Sequence, residues 1–344
     1  MNNKALSDLP TIFVVDDNNT NLLVAERALA GDYRVYTMPS AKSMFALQAH
    51  IMPDLILLDI EMPEINGFEA LKQLKQNKKT AGIPVMFLTS RTDEASEILG
   101  FELGAVDFLT KPFSEFVLRN RIKLHLDVEG LIRKRTEEIL KLKTGIAATL
   151  ARVVENRDRL TGGHVERATR YVRVMLEAML ASGIYSDEIS QWDLEETASS
   201  ARLHDVGKIV VSDLILNKSG RLTAEEFEAI KDHAAAGEGI ILDIMNNVGD
   251  VVFLQNAKLF AGCHHERWDG TGYPRGLKGE DIPLQGRIMA IADAYDALVS
   301  ERPYKPAYSH EKALRIIVEN RGKQFDPKIV DAFLAASEKF AEVV

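Results

Sequence analysis

A single cysteine, Cys263, occurs in 344 residues, so no disulfide can close within the chain, and a reducing compartment is the expected setting. Long hydrophobic runs are also missing. The longest, DLILLDI and IPVMFLT, fall far short of the ~20 residues that cross a bilayer. The N-terminus has neither a basic region nor a small-residue cleavage site, so a cytoplasmic protein with no membrane attachment is expected. Positive charge is in deficit. The formal net charge of -9 offers no basic face, which excludes a nucleic-acid polymer as the expected partner. A small anionic ligand remains compatible, given local cations or metal ions. With 46% hydrophobic and 27% charged residues the chain is ordinary globular protein, too long for one usual core and long enough for two.

Between residues 9 and 125 the runs TIFVV, RVYTM, DLILLD, PVMFLT and VDFLT alternate with amphipathic stretches. Strands alternating with helices imply right-handed crossovers and a five-stranded parallel, doubly wound α/β sheet. DLILLD and PVMFLT are apolar on both faces, as buried parallel strands are. From about Ser114 onward the pattern is helix plus loops, with no internal repeat or low-complexity tract. A connecting helix over 126–150 is expected, with 151–344 forming an all-α second domain. Apolar residues at Val128, Ile132, Ile139, Leu142, Ile146, Leu150 and Val153 have 3-4 spacing, broken at Arg135. That pattern fits a coiled-coil seam pairing two copies, or one helix packing on its own domain.

In the strand order 2-1-3-4-5, Asp16 and Asp17 beyond the first strand and Asp59 at the end of the third converge on one crevice. Three carboxylates so close repel unless a cation sits among them, and oxygen ligands suit Mg²⁺. Thr89 and Lys111 end neighbouring strands and bring a hydroxyl and an ammonium to the same rim. The bland alternative is that terminal aspartates only cap helices. VVDD, LLDIEMPEINGFE, FLTS and FLTKPF together resemble a response-regulator receiver domain. The resemblance implies Asp59 as phosphoacceptor, Asp16, Asp17 and the Glu61 carbonyl as Mg²⁺ ligands, Thr89 and Lys111 as phosphate sensors, and a sensor histidine kinase as partner. It also offers Phe108 as a rotating switch residue, against a plain role in the core.

Of eight histidines, His164, His204, His233, His264 and His265 fall in one stretch, while His50, His125 and His310 stand apart. Imidazoles beside carboxylates, as in His204-Asp205, suit a borderline or first-row transition metal. TGGHVER, LHDVGKI, DHAAAGE, HHERWDGTGYP and IADAYDALVSERPYK resemble an HD-GYP domain, a metal-dependent phosphohydrolase. That resemblance implies one ion on His164, His204, Asp205 and Asp293, and another on Asp205, His233, His264 and His265, with Asp205 bridging. Two such ions, drawn from Fe, Mn, Co, Ni or Zn, activate a shared water and clamp the oxygens of an in-line displacement. Lys208, four residues after His204, is placed to meet a phosphate oxygen. By resemblance Asp296, Arg302 and Lys305 contact the guanine and phosphates of cyclic di-GMP.

The Gly272-Tyr273-Pro274 loop reads either as a tight turn or as a gate and a surface for a diguanylate cyclase partner. Cys263, next to His264, reads as an inert thiol. Some family members carry a glutamate where this chain has Leu160. Leucine ligates nothing, so two ions are expected, and hydrolysis beyond pGpG to GMP is left in doubt. The expected function is a phosphorylation-controlled cyclic di-GMP phosphodiesterase. The competing readings are a scaffold that binds a partner through the GYP surface with little catalysis, and hydrolysis of another nucleotide.

Overall fold

The computed structural model describes residues 9–77, 79–90, 94–158, 163–301 and 306–343. The chain divides into two compact units, Met1–Glu138 and Ile139–Val344.

In the first unit the strands are β1 (Thr11–Val15), β2 (Arg34–Met38), β3 (Leu55–Asp59), β4 (Val85–Thr89) and β5 (Asp107–Thr110). They form one sheet in the order β2-β1-β3-β4-β5, each neighbouring pair parallel. β1, β3 and β4 are buried throughout, because successive side chains point to opposite faces and both faces are covered. Phe13, Val15, Ile56, Leu58 and Phe87 meet Met44 and Leu71, from α2 (Ala41–Gln48) and α3 (Gly67–Gln76). Ile12, Val14, Leu57, Met86 and Leu88 meet Leu22, Leu118 and Ile122, from α1 (Asn19–Leu29) and α5 (Glu115–Glu155). Helix α4 (Glu94–Glu102) precedes β5. Asn18 caps α1, and Asn66 with Glu69 forms a capping box on α3, so both helices start sharply beside the strand ends that carry the aspartates.

Helix α5 is 41 residues long, and the division between the units falls within it. The connecting segment expected at 126–150 is thus the middle of a longer helix. Its apolar positions divide between the two sequence readings. Val128, Ile132, Ile139, Leu142, Ile146 and Val153 are exposed, whereas Leu150 packs with Ala147 and Val154 against Leu203, Ile241 and Phe253 of the second unit.

The second unit is helical: α6 (His164–Ala181), α7 (Ser186–Ile189), α8 (Leu194–Ser200), α9 (Asp213–Leu216), α10 (Ala224–Val248), α11 (Val252–Cys263), α12 (Leu284–Val299), α13 (His310–Glu319), α14 (Pro327–Ala335) and α15 (Ser337–Ala341). Its main core joins α6, α11, α12 and α14 through Tyr171, Met175, Phe260, Ile288, Tyr295 and Phe333. Burying each large side chain of this kind contributes about 1.5–3 kcal/mol. Among the described residues no helix is long and apolar enough to cross a membrane.

Candidate metal centre and phosphoacceptor pocket

Because β1 and β3 are neighbours, their C-terminal ends bring Asp16, Asp17 and Asp59 together, with carboxylate oxygens within 4.8 Å of one another. Asp16 is buried and fixed by the Asn18 N–H at 2.9 Å and the Asn21 amide at 3.0 Å, while Asp17 is exposed. Lys111, just past β5, places Nζ 2.6 Å from Asp16 and 2.9 Å from Asp59. Thr89 is buried at the end of β4, and Glu61 is exposed two residues after Asp59. Burial raises the Asp59 carboxyl above the ordinary aspartate range, against the pull of Lys111. Its Oδ1 is buried with no hydrogen-bond partner. One ammonium among three carboxylates and an orphaned carboxylate oxygen fit a pocket for a divalent cation. Phe108 lies in the core against Phe87 and Phe101, at ring separations of 5.2 and 4.9 Å.

The second cluster draws on five segments. His164 is the first residue of α6. His204 and Asp205 stand between the 3-10 turns Ala201–Leu203 and Val206–Val210. His233 comes from α10, His264 and His265 follow α11, and Asp293 lies on α12. Gly207 makes the approach possible. A Cβ there would lie 1.9 Å from the His233 carbonyl oxygen, so only glycine lets the His-Asp turn seat on α10.

Asp205 faces both groups of imidazoles. Its Oδ2 is 3.4 Å from His204 Nε2 and 4.0 Å from His164 Nε2. Its Oδ1 is 3.5 Å from His233 Nε2 and 3.8 Å from His264 Nε2. Asp293 approaches His164 Nε2 at 3.4 Å, and His265 lies against His264 with ring centroids 4.0 Å apart. Tautomers follow from the other ring nitrogens. His204 Nδ1 donates to the Ala201 carbonyl at 2.9 Å and His233 Nδ1 to Ile230 at 2.6 Å. His264 Nδ1 donates to Phe260 and Ala261, each at 3.0 Å. His164 Nδ1 donates to the Asp296 carboxylate at 2.8 Å. Each of these rings, when neutral, therefore presents a lone pair at Nε2. Yet His164 and His204 meet Nε2 to Nε2 at 3.1 Å, and His233 and His264 at 3.2 Å. Opposed lone pairs repel, and a cation between or beside them turns repulsion into ligation. The donor set fits divalent metal.

Electrostatics agree. Burial, together with neighbouring imidazoles, pushes His264 down to about 3 and holds His265 well below, and His233 below, the usual histidine range. These rings stay neutral, as ligands must. Burial also opposes protonation of His204, but Asp205 and Asp293 outweigh it and raise its pKa. Asp205 is held well below the ordinary range by Lys208 and His204 despite burial. Burial pushes the Cys263 thiol up to about 11, so without metal it stays protonated.

A cavity of about 310 Å³ opens onto the cluster, lined among others by Asp158, Lys208, Lys218, His265, Tyr273 and Asp293. Lys208 Nζ donates to Asp205 and Asp158, each at 2.8 Å. Asp158 is buried and escaped the sequence reading, where a carboxylate in ENRDR looks like surface. The loop at 272–274 lies on the ligand turn. A Cβ at Gly272 would come within 2.6 Å of the His265 carbonyl oxygen, Tyr273 N–H donates to that oxygen at 3.2 Å, and the tyrosine ring sits 4.7 Å from His265. Pro274 is exposed beyond it. Buried Glu266 secures the loop by accepting from the Arg275 and Leu277 N–H groups at 2.8 and 2.9 Å. Asp296, expected as a substrate contact, is 2% exposed behind His164, both its oxygens engaged by His164 and Arg167. Leu160, Arg302 and Lys305 lie outside the described residues.

Comparison with known proteins matches residues 12–123 to the response regulator receiver domain and 148–329 to the HD domain. A probable cyclic di-GMP phosphodiesterase of Vibrio cholerae serotype O1 is 40% identical over 97% of this chain and 79% of its own length. The chain belongs to the receiver and HD-domain family. The cyclic di-GMP phosphodiesterase response regulator RpfG of Xanthomonas campestris pv. campestris is 33% identical over 96% of this chain and 89% of its own. A 3'3'-cGAMP-specific phosphodiesterase of Vibrio cholerae is 38% identical over 56% of this chain and 35% of its own. The HD domain makes the second unit a metal-dependent hydrolase, and the receiver calls for a phosphodonor.

Proposed function

We propose that this chain is a response regulator whose HD unit hydrolyses cyclic di-GMP to the linear dinucleotide pGpG. The observation that carries the reading is the pair of opposed Nε2 contacts, His164 with His204 and His233 with His264, on either side of the Asp205 carboxylate. The two ligand sets are His164, His204, Asp205 and Asp293, and Asp205, His233, His264 and His265. Two transition-metal ions held there would supply an activated water and charge stabilisation for in-line displacement at phosphorus. Lys208, held at the cavity wall by Asp158, contributes an ammonium to a phosphate oxygen. Tyr273 forms the wall beside His265. The relatives named for cyclic di-GMP hydrolysis along nearly the whole chain support this substrate.

In the receiver, a sensor histidine kinase phosphorylates Asp59, Mg²⁺ binds Asp16, Asp17 and the Glu61 carbonyl, and Thr89 and Lys111 hold the phosphoryl oxygens. Residues 126–150 connect a receiver at 9–125 to the hydrolase domain at 151–344, and control passes along α5. Its exposed positions from Val128 to Ile146 support pairing of two copies. The exposed 274–276 stretch is the surface that a diguanylate cyclase partner would meet. The cytoplasm, where such kinases and nucleotides meet, is the assigned location.

The test is a substrate panel. Metal-loaded protein is incubated with cyclic di-GMP, 3',3'-cGAMP and pGpG, with chelator-treated protein as the blank. Cyclic di-GMP turned over fastest, with pGpG appearing first, is the expected result. Turnover of 3',3'-cGAMP with cyclic di-GMP untouched would overturn the substrate assignment.

A further inference from the structure

His164 differs from the other ligand histidines in what holds its ring. His204, His233 and His264 each turn Nδ1 to a main-chain carbonyl three or four residues earlier. His164 opens α6 and has no preceding turn of that helix to supply a carbonyl. The partner comes from α12, where Asp296 Oδ2 accepts from Nδ1 at 2.8 Å. Arg167, one turn along α6, grips the same carboxylate, with Nε 2.6 Å from Oδ1 and Nη2 3.0 Å from Oδ2. Ser300 Oγ accepts from Arg167 at 3.1 Å and donates to Oδ2 at 3.4 Å. Two helices thus exchange partners one turn apart: Asp293 faces Nε2 of His164 and Asp296 faces Nδ1. Asp296 is 2% exposed and both its oxygens already accept hydrogen bonds from His164 and Arg167, so its carboxylate is turned away from any nucleotide in the cavity.

We infer that Asp296 and Arg167 are positioning residues that fix the tautomer and orientation of His164 as an Nε2 ligand, and that Asp296 does not contact substrate. The inference rests on the reading of the cluster as a metal centre. A carboxylate behind a ligand histidine sets which nitrogen carries the proton and makes the other more basic, and losing such a partner costs 10–100-fold in metal affinity. The guanidinium keeps the carboxylate ionised and stops it from turning toward the cavity. The effect falls on the half of the site that contains His164.

Mn²⁺ is titrated into chelator-stripped wild type, Asp296→Asn and Arg167→Gln, and histidine ¹⁵N shifts are recorded on the metal-free proteins. Asp296→Asn is expected to weaken one of two binding steps about 10–100-fold and leave the other unchanged. The His164 signal loses its fixed Nδ1–H tautomer, and KM for cyclic di-GMP at saturating metal is unchanged. Arg167→Gln, at a partly exposed position, moves the same step in the same direction by less. Unchanged binding steps and tautomer with a raised KM would overturn the inference and return Asp296 to the substrate. A wild-type chain that binds no divalent ion would overturn the metal reading itself, and the tautomer measurement would still decide the role of Asp296.

Discussion

Lys208 Nζ lies 2.8 Å from Asp205 Oδ2, the carboxylate oxygen turned toward His164 and His204. A half-buried ammonium between Asp205 and Asp158 offsets negative charge that a divalent ion would otherwise neutralise, and it stands at the wall of the cavity. In the proposed reading the same cation opposes metal entry and meets the phosphate.

Lys208→Ala should bind metal at least as tightly as wild type, because the competing charge is gone. Its kcat should drop about 10²-fold, the scale for losing one fixed donor to a developing oxyanion. Metal content and kcat measured on the same preparation check this. Metal lost together with activity would make Lys208 a structural support of the site.

Much of this was legible in the sequence, for physical reasons. DLILLD and PVMFLT have no polar face, so they could only be interior parallel strands, and a sheet that sets β1 beside β3 must bring Asp16 to Asp59. The metal-ligand residue types also carried their own signal. Arg167, Asp158 and the place of Asp296 behind His164 did not. A charged residue in a helical pattern reads as solvated, and the contact between His164 and Asp296 spans 132 residues, which local spacing cannot encode. The seam of α5 was ambiguous because one 3-4 pattern serves both exposed Ile139 and Ile146 and half-buried Leu150.

Acid should destabilise the metal-free HD unit. His233, His264 and His265 have folded-state pKa values below the unfolded value of about 6.5. Below pH 6.5 the unfolded chain takes up protons that the folded one refuses, so stability present above that pH falls as pH drops toward the folded values. For His264, at about 3, the loss between pH 7 and 5 is roughly 2 kcal/mol. His204, with its raised pKa, works the other way. Asp205, with its depressed pKa, keeps its contribution at pH 5 and gives it up only below the aspartate range. Thermal melts in chelator should show the HD transition falling from pH 7 to pH 5, and a flat or rising midpoint would contradict this balance.

Phosphorylation should reach the hydrolase through α5. Helix α5 is the covalent link between the two units, so a mechanical signal from Asp59 has that route. Initial rates with and without beryllofluoride should differ several-fold in wild type and coincide in Asp59→Ala, with molecular mass in solution reporting any pairing of two copies. Equal rates and equal masses in all four conditions would show that the receiver does not control this hydrolase.

Asp205 joins both halves of the cluster, one oxygen toward each. Elemental analysis paired with cyclic di-GMP turnover, on wild type and Asp205→Ala, is the most direct measurement. Wild type should hold two ions per chain, since Leu160 supplies no ligand for a third. Asp205→Ala should lose both ions and nearly all turnover while its receiver still accepts phosphate. Full metal content and retained turnover in Asp205→Ala would contradict the assignment of the centre.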